Sequence, residues 1–177
     1  GLTNLDNATK SITVDKELNT VVFIHRNNTG IFGGSSGELR YDISTNGGNS
    51  WTNELGILNP LLTQLARYPQ VAIYNPSGNT NPNNAYLAYM AATYNGTAFT
   101  GNVEGVRRLN GTYNTENYNQ PSATLTQNIP KSMVKGAPGV FWAIDYDYAN
   151  ANGPGFQVYK GNWDNTISDV QWATNTV

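Results

Sequence analysis

The sequence has 177 residues, and its net charge of −2 with no run of Lys or Arg excludes the electrostatic footprint of a nucleic-acid binder or of a protein held on an anionic membrane. Cysteine is absent, which excludes disulfides, thiolate metal sites and a cysteine nucleophile. No segment approaches the ~20 apolar residues of a membrane span. Asn, Gly, Thr and Tyr are abundant and charged residues make up only 12%, a composition typical of many tight turns.

Short strand-like runs account for most of the first third of the chain. They alternate polar and apolar residues, or are apolar throughout where both faces are buried, as β-strands do. Three such runs come first, at 11–15, 20–26 and 38–44. The Thr-Asn-Gly-Gly-Asn-Ser sequence of residues 45–50 then predicts a hairpin turn directly before Trp51.

The same pattern restarts twice. The later strand-like runs lie at 68–74, 85–92, 101–109, 131–135, 139–146, 155–160 and 170–172. The nearest approach to a helical spacing, at residues 55–65, is interrupted by Pro60 and is predicted to be a loop with one helical turn. The sequence therefore predicts an all-β protein.

The spacing of the three cycles favours a β-propeller. Each cycle holds three or four strands over ~50–60 residues, near the ~40–50 residues of a propeller blade. We predict a single all-β unit over 1–177, a partial propeller with about three blades at approximately 7–56, 66–118 and 128–175. An antiparallel β-sandwich with long loops is the alternative.

The most specific motif is the Ser-Thr-Asn-Gly-Gly-Asn-Ser-Trp stretch that ends at Trp51. The Asn46 side chain can cap amides of its own turn, and Gly48 can take a backbone conformation that is costly for other residues. The hydroxyl groups of Ser44 and Ser50 can add local hydrogen bonds, and the Trp51 ring can anchor the hairpin by burial.

These eight residues resemble the Asp-box, or BNR repeat, of sialidases and related propellers, Ser-x-Asp-x-Gly-x-Thr/Ser-Trp. Asn46 stands in the Asp position, and the other matching positions are Ser44, Gly48, Ser50 and Trp51. In that family the box lies in the hairpin between the last two strands of a blade, away from the active site. The resemblance implies a structural hairpin with positive φ at one of its glycines and a largely buried Trp51, whose truncation to alanine would cost roughly 3–5 kcal/mol.

A second resemblance covers residues 67–80. The Arg-Tyr-Pro-Gln sequence at 67–70 and the Tyr-Asn-Pro-Ser-Gly-Asn-Thr sequence at 74–80 are similar to exported propeller proteins of Bacteroidetes-type bacteria. Those proteins commonly leave the cell by the type IX secretion route and carry a C-terminal sorting domain. The resemblance implies a secreted or cell-surface protein of which this chain is an N-terminal portion.

A sialidase-type active site would need three arginines for the substrate carboxylate, a Tyr/Glu nucleophile pair and an Asp acid. The chain contains five arginines: Arg26, Arg40, Arg67, Arg107 and Arg108. The Arg67-Tyr68-Pro69 sequence resembles the Arg-Ile-Pro that carries the first of those arginines, but it follows the Asp-box-like hairpin, whereas the family has it before. We therefore expect Arg67 to lie exposed at the end of a sheet and the five arginines not to converge, and no catalytic residue is assigned.

Three further ionisable residues, Asp145, Asp147 and His25, are candidates for catalysis or metal binding. Asp145 and Asp147 share a strand face and could pair as acid and base or contribute to a calcium site, but two carboxylates are too few ligands, so a solvated strand end is expected. His25 is the only histidine and lies in an apolar strand, which favours a structural role. The sequence predicts no cofactor and no metal.

Three functions remain open. The first is a secreted or cell-surface propeller module with a binding role, whose loop residues, such as Tyr113, Asn117, Tyr118 and Asn119, could contact glycans by ring stacking and amide hydrogen bonds. The second is a sialidase-type glycoside hydrolase whose remaining active-site residues lie outside this chain. The third is a structural cargo or assembly component. Because three blades do not close a ring, the first and last sheets are each expected to present an uncovered apolar face, which another chain could cover to complete the propeller.

Overall fold

The computed structural model describes residues 9–119, 129–147 and 155–176. These residues form three antiparallel four-stranded sheets, none of them closed on itself, so the predicted all-β class is confirmed. In each sheet the strands follow one another in chain order, joined by turns and loops. Each sheet is therefore a local unit, which antiparallel pairing through short connections allows.

The first sheet contains β1 (Ile12–Asp15), β2 (Thr20–Arg26), β3 (Leu39–Ser44) and β4 (Thr52–Leu55). The second sheet contains β5 (Leu65–Tyr74), β6 (Tyr86–Tyr94), β7 (Phe99–Arg108) and β8 (Asn117–Asn119). The third sheet contains β9 (Lys131–Lys135), β10 (Val140–Asp147), β11 (Gly155–Asp164) and β12 (Asp169–Thr176).

Two short helical segments lie in the connections between strands, one between β2 and β3 and one between β5 and β6. The helix α1 (Thr29–Phe32) begins after Asn28, whose side chain accepts a hydrogen bond from the Gly30 amide, and a 3-10 helix covers Pro82–Asn84. Neither was predicted, because a single turn fixed by one capping side chain leaves almost no periodic signal in the sequence. No helix in the described ranges is long and apolar enough to cross a membrane.

The second sheet lies between the other two and is buried on both faces. In β6, Leu87, Tyr89 and Ala91 pack into a core shared with the first sheet, whereas Ala88 and Met90 pack into a core shared with the third. This alternation follows from the period-two geometry of a strand. It also explains why β6 reads as a nearly continuous apolar run, since both of its faces are inside the protein.

The first strands of the three sheets are neighbours: β5 contacts β1 on one side and β9 on the other. The turns that follow these three strands therefore gather at one end of the molecule. These turns form a cleft at that end of the molecule.

Candidate functional site

A cleft of about 570 Å³ lies where the turns after β1, β5 and β9 meet. Its lining residues are 14–17, 74–78, 135–136 and 138–139. All three sheets thus contribute to one concave site, and its volume lies within the ~300–1,000 Å³ range of small-molecule sites.

An ion pair crosses the cleft between the first and third sheets. Lys135 Nζ lies 3.1 Å from Asp15 Oδ2. The Asp15 side chain is only 5% exposed, and its other oxygen accepts hydrogen bonds from the backbone amides of Glu17 and Leu18. Because the Asp15 carboxylate is already bonded on both oxygens, it holds the turn after β1 and positions Lys135, which is 40% exposed, at the cleft wall.

A cluster of half-buried aromatic rings extends from the cleft along the junction of the second and third sheets, and Tyr74 is its member in the cleft lining. The ring of Tyr74, a cleft residue, stacks on Trp163 with centroids 4.1 Å apart, and Tyr86 lies 4.7 Å from the same indole. The edge of Tyr113 meets Tyr86 at 6.4 Å. We call Tyr74, Tyr86, Tyr113 and Trp163 the aromatic strip. Each ring keeps part of its surface in solvent, so the strip offers apolar ring area next to a polar cleft.

Gly139 allows the strip to approach the turn between β9 and β10. Its φ is +73°, and a Cβ added there would lie 3.2 Å from the Trp163 Cβ and 3.8 Å from the Tyr74 ring. The Gly139 carbonyl accepts a hydrogen bond of 2.7 Å from the Trp163 amide. A larger residue at this position would push the indole away from Tyr74.

Asparagine side chains fix the loop after β5, which begins directly after Tyr74 and continues the same part of the cleft lining. Asn75 and Asn79 exchange two hydrogen bonds, from Asn79 Nδ2 to Asn75 Oδ1 at 2.9 Å and from Asn75 Nδ2 to the Asn79 carbonyl at 3.1 Å. Asn79 Oδ1 also accepts from the Asn81 amide. The loop is therefore held by its own side-chain-to-backbone bonds, the turn role that the high asparagine content predicts.

The five arginines do not meet in one cluster. Arg26 and Arg67 lie close together, since burial and then the positive charge of Arg67 lower the pKa of Arg26. Arg40 lies on the outward face of the first sheet, with contacts to Glu38 and Glu54. Arg67 pairs with Ala92 and Arg107 with Leu87, so they lie five residues apart along β6, about 17 Å at strand spacing. Arg108 binds the loop residues Asn83 and Asn84.

The expectation that Arg67 lies exposed is wrong. It is half-buried within β5, where its guanidinium donates to the Ala66 carbonyl at 2.8 Å and lies 5.6 Å from the centre of the Tyr94 ring. A change of register after Arg67, with Tyr68 at a φ of 52°, turns the strand at this point. The residue therefore packs along the sheet instead of extending from its end.

The expectation of a solvated strand end at Asp145 and Asp147 is wrong for Asp145. Asp145 is 1% exposed, because it alternates with Phe141 and Ala143 on the face of β10 that packs against the second sheet. The side chain of Asp147 lies outside the described residues. Sequence reasoning also missed Glu104 of β7, which is 6% exposed between the same two sheets. No local pattern distinguishes a buried Glu from an exposed one.

His25 connects neighbouring strands of the first sheet. Its Nε2 lies 3.3 Å from Asp42 Oδ1 of β3, its Nδ1 lies 3.0 Å from the Arg26 carbonyl, and its ring stacks on Phe23. These contacts match the structural role predicted for it.

The four residues proposed for glycan contact divide into two groups. Tyr113 belongs to the aromatic strip, and its hydroxyl donates to the Ile167 carbonyl at 2.6 Å. The other three form the strand β8 and not a loop, with Asn117 and Asn119 exposed and Tyr118 half-buried. Asn117 binds Asp169, Asn119 binds Glu104, and Tyr118 packs against the first core with its pKa raised to about 12, first by burial.

The Asp-box-like hairpin is held by a small hydrogen-bond network. Ser44 Oγ accepts from the Gly48 amide at 2.8 Å and donates to Asn46 Oδ1 at 2.9 Å. Asn46 in turn accepts from the Ser50 amide at 2.9 Å and donates to Ser50 Oγ at 2.7 Å. The predicted positive φ is confirmed at both glycines, with 72° at Gly47 and 93° at Gly48.

The prediction that Trp51 is buried is wrong. Trp51 is 41% exposed, and its Nε1 donates to the Gly48 carbonyl at 3.1 Å, so the indole lies against its own turn instead of entering the core. A truncation cost of 3–5 kcal/mol presupposed full burial and is no longer expected.

The network gives a first testable prediction. Asn46→Ala removes three side-chain hydrogen bonds and is expected to lower the free energy of unfolding by about 1–2 kcal/mol, as loss of a capping side chain does. Asn46→Asp keeps the accepting oxygen and should cost less. Asn49→Ala, which removes one exposed bond, is the matched control. Equal urea-denaturation midpoints for Asn46→Ala and Asn49→Ala would contradict the assigned role.

No group of three or more His, Cys, Asp or Glu side chains within 9–119, 129–147 and 155–176 is arranged to hold a metal ion. Comparison of the chain with protein families, with curated proteins and with solved structures finds no match to any of them.

Proposed function

We propose that this protein is a secreted or cell-surface binding module of the β-propeller type, and that it binds glycans in the cleft beside the aromatic strip. The observation that carries the proposal is the position of Tyr74, which both lines the cleft and stacks in the strip.

Three features support the propeller arrangement. The first strands β1, β5 and β9 lie side by side, and each sheet keeps its strands in chain order. A second hollow of about 420 Å³ follows the same three strands and shares Val14 and Lys135 with the cleft. Propeller blades likewise place their first strands around a central channel and pack face to face with their neighbours.

The chemistry of the cleft suits a sugar. A pyranose ring has an apolar face of C–H groups that stacks on an aromatic ring, while its hydroxyl groups need hydrogen-bond partners. Tyr74 of the strip supplies a ring in the cleft, and the loop 74–78 with Lys135 supplies polar atoms. The low charge of the chain and the absence of any run of Lys or Arg do not suit nucleic acid.

The test is a glycan array followed by titration of the best-binding glycan. Tyr74→Leu removes the ring and is expected to weaken binding at least about tenfold, which corresponds to ~1.4 kcal/mol, a typical contribution of one aromatic contact. Tyr74→Phe keeps the ring and should bind nearly as wild type. Tyr94→Leu, which removes a half-buried tyrosine elsewhere on the second sheet, is the matched control.

The outcomes separate the three functions. If no glycan binds, the structural role is favoured and the proposal is wrong. If the protein hydrolyses a fluorogenic sialoside, the binding-module proposal gives way to the hydrolase. If a glycan binds but Tyr74→Leu and Tyr94→Leu weaken it equally, the cleft is not the site.

A further inference from the structure

The outward face of the third sheet carries a connected set of exposed apolar side chains. Val134, Trp142 and Phe156 are 39%, 38% and 37% exposed. The register places Trp142 beside Val134 and, two residues further along β10, Ile144 opposite Val158. We call this surface the β10 face.

The outward face of the first sheet carries apolar side chains on β1 and β2. Ile12 and Val14 are 51% and 63% exposed, and they pair with Phe23 and Val21 respectively. We call this surface the β1 face. Both end sheets thus present exposed apolar side chains, as the incomplete ring predicted, and contiguous exposed apolar surface marks an interaction site.

The charges on the two faces are complementary. On the β10 face, Lys160 lies 5.5 Å from the centre of the Trp142 ring and makes no ion pair with any described residue. On the β1 face, Phe23 pairs with Asp42, and Glu54 lies beyond it on β4. Glu54 Oε2 is buried without a hydrogen-bond partner among the described residues, 4.0 Å from Arg40 Nε. Asp42 and Glu54 are engaged by His25 and Arg40, but each carboxylate side chain stays 22% exposed, so this face presents carboxylates and the β10 face presents Lys160.

We propose that two copies of this chain associate by docking the β10 face of each onto the β1 face of the other. The contact repeats the order already present inside the chain, where the second sheet packs between the first and the third. A contact between two different faces forms either a closed ring or an open filament. Two copies bring together six four-stranded sheets, within the about four to eight blades that close a propeller. Closure at two copies rests on the propeller arrangement proposed above.

Light scattering after size-exclusion chromatography tests the proposal on the full chain. The wild type is expected at 38.6 kDa, twice the 19.3 kDa of one chain. Trp142→Glu on the β10 face and Phe23→Glu on the β1 face should each give a folded monomer. Ile31→Glu, at an exposed apolar residue of α1 outside both faces, should stay dimeric.

Mixing the two monomeric variants gives the sharpest readout. One variant retains an intact β1 face and the other an intact β10 face, so the mixture should form a heterodimer through one complete contact. A mixture that stays monomeric would overturn the proposal, and so would a single variant that stays dimeric, since that would show that like faces pair. A monomeric wild type would overturn it as well, and so would species larger than a dimer. Val14 belongs to both the β1 face and the cleft, but the substituted residues Phe23 and Trp142 do not line the cleft. Glycan binding by the monomeric variants and dimer formation by the wild type can therefore fail independently.

Discussion

Replacing Glu104 with glutamine is expected to increase the free energy of unfolding at neutral pH and to flatten its dependence on pH. Glu104 is buried between the second and third sheets, and burial raises its pKa to about 8. A hydrogen bond of 3.0 Å from Asn119 to Oε1 opposes this shift, and the charge of Asp169 adds to it. Oε2 has no hydrogen-bond partner among the described residues, so it is the atom where a proton can reside.

The direction of the pH effect follows from the two states. An unfolded Glu loses its proton near pH ~4.3, whereas folded Glu104 keeps its proton up to about pH 8. Between these values the unfolded chain binds fewer protons, so stability falls as the pH rises. Each unit of difference between the folded and unfolded pKa corresponds to about 1.4 kcal/mol of unfolding free energy. The loss of stability over the whole pH range is therefore on the order of a few kcal/mol. Tyr159 of β11 faces the same region, and burial, followed by the charges of Asp145 and Glu104, raises its pKa.

Urea denaturation between about pH 5 and about pH 9 measures the effect. The wild type is expected to lose stability across this range, and Glu104→Gln to lose much less. Glu17→Gln, at an exposed carboxyl group in the turn after β1, should follow the wild type. Parallel pH curves for the wild type and Glu104→Gln would show that Glu104 ionises normally and is not buried as described.

Truncating Tyr89 to alanine should cost about 3–5 kcal/mol, as removal of a fully buried aromatic ring does. The ring is completely buried in the core between the first and second sheets. Its hydroxyl lies 2.7 Å from the Leu58 carbonyl and 2.9 Å from the Thr115 carbonyl, so it connects the segment between the two sheets to the approach to β8. Gly105 makes room for this hydroxyl, since a Cβ there would lie 2.7 Å from it.

Two phenylalanine variants separate the ring from the hydroxyl. Tyr89→Phe keeps the ring and should cost about 1–2 kcal/mol, the range for a lost buried hydrogen bond. This loss of stability is limited because the Leu58 carbonyl keeps a second hydrogen bond, which Asn114 Nδ2 donates. Tyr94→Phe, whose hydroxyl binds the exposed Gly96 carbonyl, should leave the denaturation midpoint nearly unchanged. A Tyr89→Ala midpoint equal to that of Tyr94→Phe would contradict the burial of this ring.

The sequence by itself determined the all-β class and most of the strands. Alternation marks a strand locally, so the runs at 20–26 and 38–44 could be recognised without any tertiary contact. Turn chemistry is local as well, and it predicted the positive φ of the glycines before Trp51. The short outer strands β4 and β8 were missed, since each contains a single apolar residue and therefore shows no alternation.

Only the tertiary structure decided which polar and aromatic residues are buried. Asp145 and Glu104 lie on faces that become internal when the third sheet packs on the second, and no neighbour in the sequence signals that packing. Trp51 folds onto its own turn instead, although its motif suggested an anchor. The cleft is assembled from turns that lie about 60 residues apart along the chain, at Asp15, Tyr74 and Lys135, and meet only because β1, β5 and β9 are neighbours. Contacts of such long range depend on how the sheets pack, which local periodicity does not encode.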